Sequence, residues 1–212
     1  MSTKRKDLWA LLWKNIGAKG NMEKAYNTLV SKYSEPHRSY HTLNHIDACI
    51  EEFNQVRYFV QNPNEVEWAL WYHDVIYDPK AKDNEKRSAD LSMKEMLKDS
   101  LSEDTKQLVV NLIMVTKHTE FPIDFDMRIV ADVDLAILGQ SKRKFDEYEQ
   151  QIRKEYQFVS EDDFVEGRLA VLEYFLRRPV IYLTQFFQNK YEKQARKNII
   201  NSIQCLTKRK RR

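Results

Sequence analysis

The chain has 212 residues, 42% of them hydrophobic and 12% aromatic, with only four Gly and five Pro. That length supports one domain with a sizeable core, and the composition excludes a low-complexity chain in favour of a packed, helical one. The net charge is +3, and acidic and basic residues interleave as solvated helix faces, without a basic stripe of nucleic-acid-binding character in the core.

Leu8, Leu11, Leu12 and Ile16 recur at helical spacing, and Gly17 is placed to end that helix. A second helix is expected over 22–33, closed by Pro36. A loop then delivers His37, Arg38, Ser39 and Tyr40, and a third helix is expected over 42–60. Asn62 is placed to cap a fourth, with Pro63 in its first turn and Glu65 reaching back. That helix is expected to carry His73 and Asp74 and to stop before Pro79. A polar loop over 79–83 precedes a helix starting near Asn84, and Ser102 opens another that ends near His118. A short apolar helix is expected over 127–138. Ser141 caps a charged helix, Ser160 and Asp163 form a capping box for the next, and Pro179 separates it from two final helices. Strand signals are weak throughout. The expected fold is all-α: a single domain of about ten helices over 1–207, followed by a disordered basic tail, Lys208-Arg209-Lys210-Arg211-Arg212.

Cys49 and Cys205 lack clustered spacing, which excludes a zinc finger or disulfide framework and suits a reducing compartment. No apolar run of signal length follows Met1, and none reaches the roughly 18 residues of a membrane span. A cytoplasmic location without membrane association is therefore expected.

Three of the five histidines fall in two short segments, Tyr40-His41-Thr42-Leu43-Asn44-His45 and Trp71-Tyr72-His73-Asp74. His41 and His45 are four apart and share one helix face. His73 and Asp74 are adjacent, about 100° apart around a helix, and can both reach an ion placed between their directions. Asp132 and Asp134 lie in an apolar stretch, where an unpaired carboxylate is costly to bury and a cation offsets the cost. Each piece alone also fits a satisfied core residue. The ordered set points to one divalent metal.

In that order the chain resembles the HD superfamily of metal-dependent phosphohydrolases. The resemblance rests on His45 in Leu43-Asn44-His45-Ile46, on His73-Asp74, and on Asp134 in Asp132-Val133-Asp134-Leu135. It is closest to a branch of predicted HD phosphohydrolases, through Arg38-Ser39-Tyr40-His41-Thr42, Asn84-Glu85-Lys86-Arg87-Ser88-Ala89, Thr116-Lys117-His118 and Gly167-Arg168. It implies a mostly helical HD-type domain in which His45, His73, Asp74 and Asp134 hold one divalent ion. Asp132 is a rival for Asp134, and His41 reads as a substrate-binding or ligand-orienting residue. Two nitrogens and two carboxylates suit Mn, Fe, Ni, Co, Zn or Mg. Such an ion would acidify a water for attack on phosphorus.

Further candidates surround this set. Arg38 is positioned to pair with phosphate or to form a salt bridge. Lys117 and His118 read as cations facing a phosphate or as charges complementing a helix C-terminus. Asp78 and Glu85 are candidate acid–base residues, with a helix-end carboxylate and a helix start as the plainer readings. Arg153, Tyr156 and Arg168 read as a supporting polar network. The alarmone hydrolases of the superfamily carry a Glu-Asp pair where this chain has Tyr77-Asp78, which argues against that substrate. Only His118 is available as a further histidine for a second metal. The expectation is therefore an enzyme, a phosphohydrolase acting on a small phosphorylated substrate such as a nucleotide. The alternative is a non-catalytic nucleotide-sensing module. Nucleic acid is expected only at the basic tail.

Overall fold

The computed structural model describes residues 2–98 and 101–210. It contains eleven α-helices, ten of them at least ten residues long, and no strand among the described residues. The all-α expectation of about ten helices is met. The chain divides into two compact units, Met1–Val133 and Asp134–Arg212. No helix is long and apolar enough to cross a membrane.

The first unit contains α1 (Ser2–Asn15), α2 (Met22–Tyr33), α3 (Leu43–Asn54), α4 (Pro63–Tyr72), α5 (Asn84–Lys98), α6 (Glu103–Met114) and α7 (Phe125–Asp134), the last residue of α7 opening the second unit. Its centre is α4. Seven consecutive residues, Val66 to Tyr72, are buried. A helix that is buried on all sides needs neighbours on every face, and α4 contacts α1, α3, α5 and α6. Aromatic rings supply much of that contact. Trp9 of α1 lies 5.1 Å from Trp68 and 5.5 Å from Trp71, and Trp13 stacks on Trp68. Trp68 donates its indole N–H to Ser92 of α5 at 3.0 Å. The one buried carboxylate on α4, Glu67, is paired with Arg57.

Several expected boundaries move. The third helix stops at Asn54 and is followed by a 3-10 turn, Arg57–Phe59. Asn62 makes no side-chain cap. Its amide and its backbone N–H, with that of Gln61, donate instead to the Asp126 carboxylate at 2.8–3.0 Å. The fourth helix ends at Tyr72, so His73 is its C-cap and Asp74 lies beyond it.

In the second unit, a 3-10 segment, Leu135–Gly139, leads to α8 (Lys142–Glu155) and α9 (Glu161–Arg177). A single turn α10 (Gln185–Phe187) and a π segment, Gln188–Glu192, then lead into α11 (Lys193–Lys210). Ser160 caps α9 by accepting from Asp163 N–H, while Ser141 makes no such bond. The amide of Asn198 donates to the carbonyls of Leu138 and Gln140 at 2.9 and 2.8 Å. The Glu192 carboxylate receives the backbone N–H groups of Ile181 and Tyr182 at 3.0–3.1 Å. Of the residues expected to support the site, Arg168 pairs with Glu149, and Arg153 separately with Glu161 and the carbonyls of Tyr156 and Val159. The basic tail is only partly as expected. Lys208, Arg209 and Lys210 are the last turn of α11, where the carboxylates of Glu161 and Glu166 on α9 pair with Arg209 and Lys210. Arg211 and Arg212 lie outside the described residues.

Candidate metal centre

Two segments deliver the central side chains. Thr42 caps α3, accepting from Asn44 N–H at 3.3 Å, so that His45 falls in the first turn of the helix on its buried face. The other segment is the turn that ends α4. After Tyr72 the backbone leaves the helix, and side chains from elsewhere satisfy the groups a helix would have paired. Tyr33 donates to Trp71 O at 2.9 Å. Arg38 donates to Asp74 O at 2.7 Å and Val75 O at 3.0 Å. The Ser88 hydroxyl accepts from Ile76 N–H at 3.1 Å.

The result is a tight triangle of three donor atoms. His45 Nε2 lies 3.1 Å from His73 Nε2. Asp74 Oδ2 lies 3.1 Å from His73 Nε2 and 3.4 Å from His45 Nε2. His73 Nδ1 sits 2.9 Å from Leu70 O. A carbonyl can only accept, so Nδ1 carries the proton and Nε2 presents its lone pair to the triangle. One proton can bridge only one edge of such a triangle, whereas a cation satisfies all three corners. Metal–ligand bonds of about 2.0–2.2 Å place neighbouring ligands about 2.8–3.6 Å apart, from right-angled to tetrahedral geometry. All three edges fall in that range.

Burial alone would raise the Asp74 carboxyl. The neighbouring imidazoles, His73 first and then His41 and His45, outweigh it and hold the group well below the usual carboxylate range. The carboxylate is thus ionised, as a ligand must be.

His45, Cys49, His73 and Asp134 form a group whose ligand atoms all lie within 4.8 Å of one another, and this group could hold a metal ion. Asp134 belongs to it as the last residue of α7. Asp132, its rival, is fully buried. Cys49 was not among the expected ligands. The available signal was its spacing: it follows His45 by four residues and shares its helix face.

The remaining candidates fall into place unevenly. Arg38 is not a free phosphate clamp. Its side chain is inaccessible, and its N–H groups go to Glu35 and to the carbonyls of His41, Asp74 and Val75. A planar fork with five donors suits this bracing role better than a point charge does. His41 is half-buried beside the triangle, with its ring stacked on Tyr77 at 4.0 Å. Asp78 does not share a helix face with Asp74, because α4 ends before either. Its carboxylate accepts from Lys80 N–H at 2.9 Å, and its backbone is held by the Asn84 amide at 2.9–3.0 Å. Both contacts shape the turn into α5. Glu85 occupies the first turn of α5, where its charge complements the helix N-terminus. Lys117 is exposed and lines a cavity of about 420 Å³ with Met114, Glu120 and Met127. None of the triangle residues lines it. His118 ends the 3-10 turn Val115–Lys117 in a left-handed conformation, φ 55°.

No family model, curated protein or solved structure matches the chain.

Proposed function

We propose that the chain is a metal-dependent phosphohydrolase acting on a small phosphorylated substrate, a nucleotide by preference. The observation that carries this reading is the convergence of His45 Nε2, His73 Nε2 and Asp74 Oδ2 within 3.1–3.4 Å, in the sequence order that resembles the HD superfamily. On this reading His45, His73, Asp74 and Asp134 hold the ion. A divalent ion there supplies Lewis acidity to a phosphoryl oxygen and lowers the pKa of a water.

The chain's own residues do the positioning. Leu70 O fixes the His73 tautomer, so its lone pair faces the site. Arg38 braces the backbone of Asp74 and Val75 and so aims the Asp74 carboxylate. His41, stacked on Tyr77, would meet an anionic substrate beside the ligands. Asp78 and Glu85 remain candidate proton donors only through substrate-induced movement, since Asp78 is committed to its turn.

The test begins with elemental analysis of the purified protein. A phosphate-release screen across nucleotides follows, with Mn²⁺, Fe²⁺, Ni²⁺, Co²⁺, Zn²⁺ and Mg²⁺ each added. The expected outcome is turnover with at least one ion and none for Asp74→Ala. Tight nucleotide binding without turnover by the wild type would favour the sensor reading instead. A protein that binds neither metal nor nucleotide would overturn both.

A further inference from the structure

The triangle has a fourth neighbour of different chemistry. Cys49 is 1% exposed, and its Sγ lies 3.7 Å from both ring nitrogens of His45. The same sulfur falls within 4.8 Å of the ligand atoms of His73 and Asp134. A buried cysteine on an apolar helix face is ordinarily a small core residue. Here, however, it faces two imidazoles. Equal distances to Nδ1 and Nε2 put the sulfur beside the His45 ring, so a turn of the Cys49 side chain or of the ring brings it to the roughly 2.3 Å of a sulfur–metal bond. The i, i+4 relation on α3 keeps both side chains on one face of the helix.

We propose that Cys49 is a metal ligand, making this a mixed thiolate–imidazole–carboxylate centre that selects a thiophilic ion of the zinc or cobalt class over Mg²⁺ or Mn²⁺. The inference rests on the metal centre proposed above and specifies its donor set. On binding, the Cys49 S–H bond breaks, a sulfur–metal bond forms and the proton leaves to solvent, with no change in oxidation state. Thiolate is a soft donor, whereas Mg²⁺ and Mn²⁺ prefer oxygen. Removing the sulfur therefore weakens the ions unequally.

The full chain is stripped of metal and titrated with Co²⁺ while the absorption spectrum is recorded. Thiolate ligation produces an intense near-ultraviolet charge-transfer band in addition to the weaker visible bands of bound Co²⁺. The band is expected in the wild type and in Cys205→Ser, because Cys205 is exposed on α11, and it is expected to vanish in Cys49→Ser. Zn²⁺ affinity should fall at least about tenfold in Cys49→Ser while Mn²⁺ affinity changes by less than about threefold. Stoichiometric Co²⁺ binding with visible bands but no charge-transfer band in the wild type would overturn the thiolate assignment and leave the metal centre standing. No stoichiometric Co²⁺ binding would overturn both. The wild-type spectrum decides the first point even if the Cys49 variant does not fold.

Discussion

The guanidinium of Arg38 directs three hydrogen bonds of 2.7–3.0 Å to the carbonyls of His41, Asp74 and Val75. These acceptors sit in the two segments that carry the candidate ligands, so one side chain links the loop before α3 to the turn after α4. A lysine can place a charge there but cannot reproduce the fork. Arg38→Lys should therefore cost about 2 kcal/mol of stability, from buried carbonyls left unpaired, and should lower metal affinity by at least about tenfold. Denaturant unfolding and metal titration of the same samples measure both; an unchanged metal affinity would remove Arg38 from the positioning of Asp74. Its partner Glu35 offers a pH test. Burial alone would raise the Glu35 carboxyl, but Lys32 and Arg38 hold it below its ordinary value. A depressed carboxyl contributes stability that is complete above the unfolded-state value of about 4.3 and is lost as pH falls through the folded-state value. Metal-free wild type should thus melt progressively lower as pH drops from about 5 to about 3, and Glu35→Gln should reduce that dependence, leaving the part that Asp74 contributes. Parallel slopes for the two proteins would assign the acid sensitivity to other groups.

At the scale of the element, helix existence was legible and helix ends were not. The buried faces of α2 and α3, and the Ser160 cap of α9, follow local rules of spacing and capping. The end of α4 does not. It stops because Tyr33, Arg38 and Ser88 take the backbone groups of Trp71, Asp74, Val75 and Ile76. Those partners are up to 38 residues away. Asn62 reads locally as a cap, yet it is claimed by Asp126, 64 residues on. The candidate site divides the same way. His45, His73 and Asp74 are readable as an ordered set, whereas the meaning of Cys49 depends on the imidazole beside it. Two glycines give a contrasting pair of predictions. A Cβ on Gly139 would stand 2.4 Å from Tyr191 Cβ in the segment preceding α11. Gly139→Ala should destabilise by about 1–3 kcal/mol through overpacking. Gly167, inside α9, has nothing within 4 Å of such a Cβ. Gly167→Ala should stabilise by about 0.5–1 kcal/mol. Urea midpoints at constant slope would measure both, and equal shifts would contradict the packing argument.

For the whole molecule, a bound ion at the candidate ligands would contribute to stability. The first unit buries His45, His73 and Cys49 and keeps Asp74 ionised at 18% side-chain exposure. Once the imidazoles are neutral, their lone pairs and the carboxylate face one another in a site of low polarity, which a cation would relieve. A ligand that binds only the folded state at a hundred times its dissociation constant contributes about 2.7 kcal/mol, which corresponds to roughly 10 °C in melting temperature for a unit of this size. Chelation should therefore lower the melting temperature by about that amount, and Zn²⁺ or Co²⁺ should restore it. Asp74→Ala should lose the metal-dependent shift. A chain ending at Thr207 should keep it, because the described residues removed contribute only the solvent-exposed pairs of Arg209 and Lys210 with α9, each worth about 0–1 kcal/mol. The comparison is decided by the difference between metal-loaded and metal-free scans of each protein. A shift of equal size in wild type and Asp74→Ala would place the stabilising ion somewhere other than the His45–His73–Asp74 triangle.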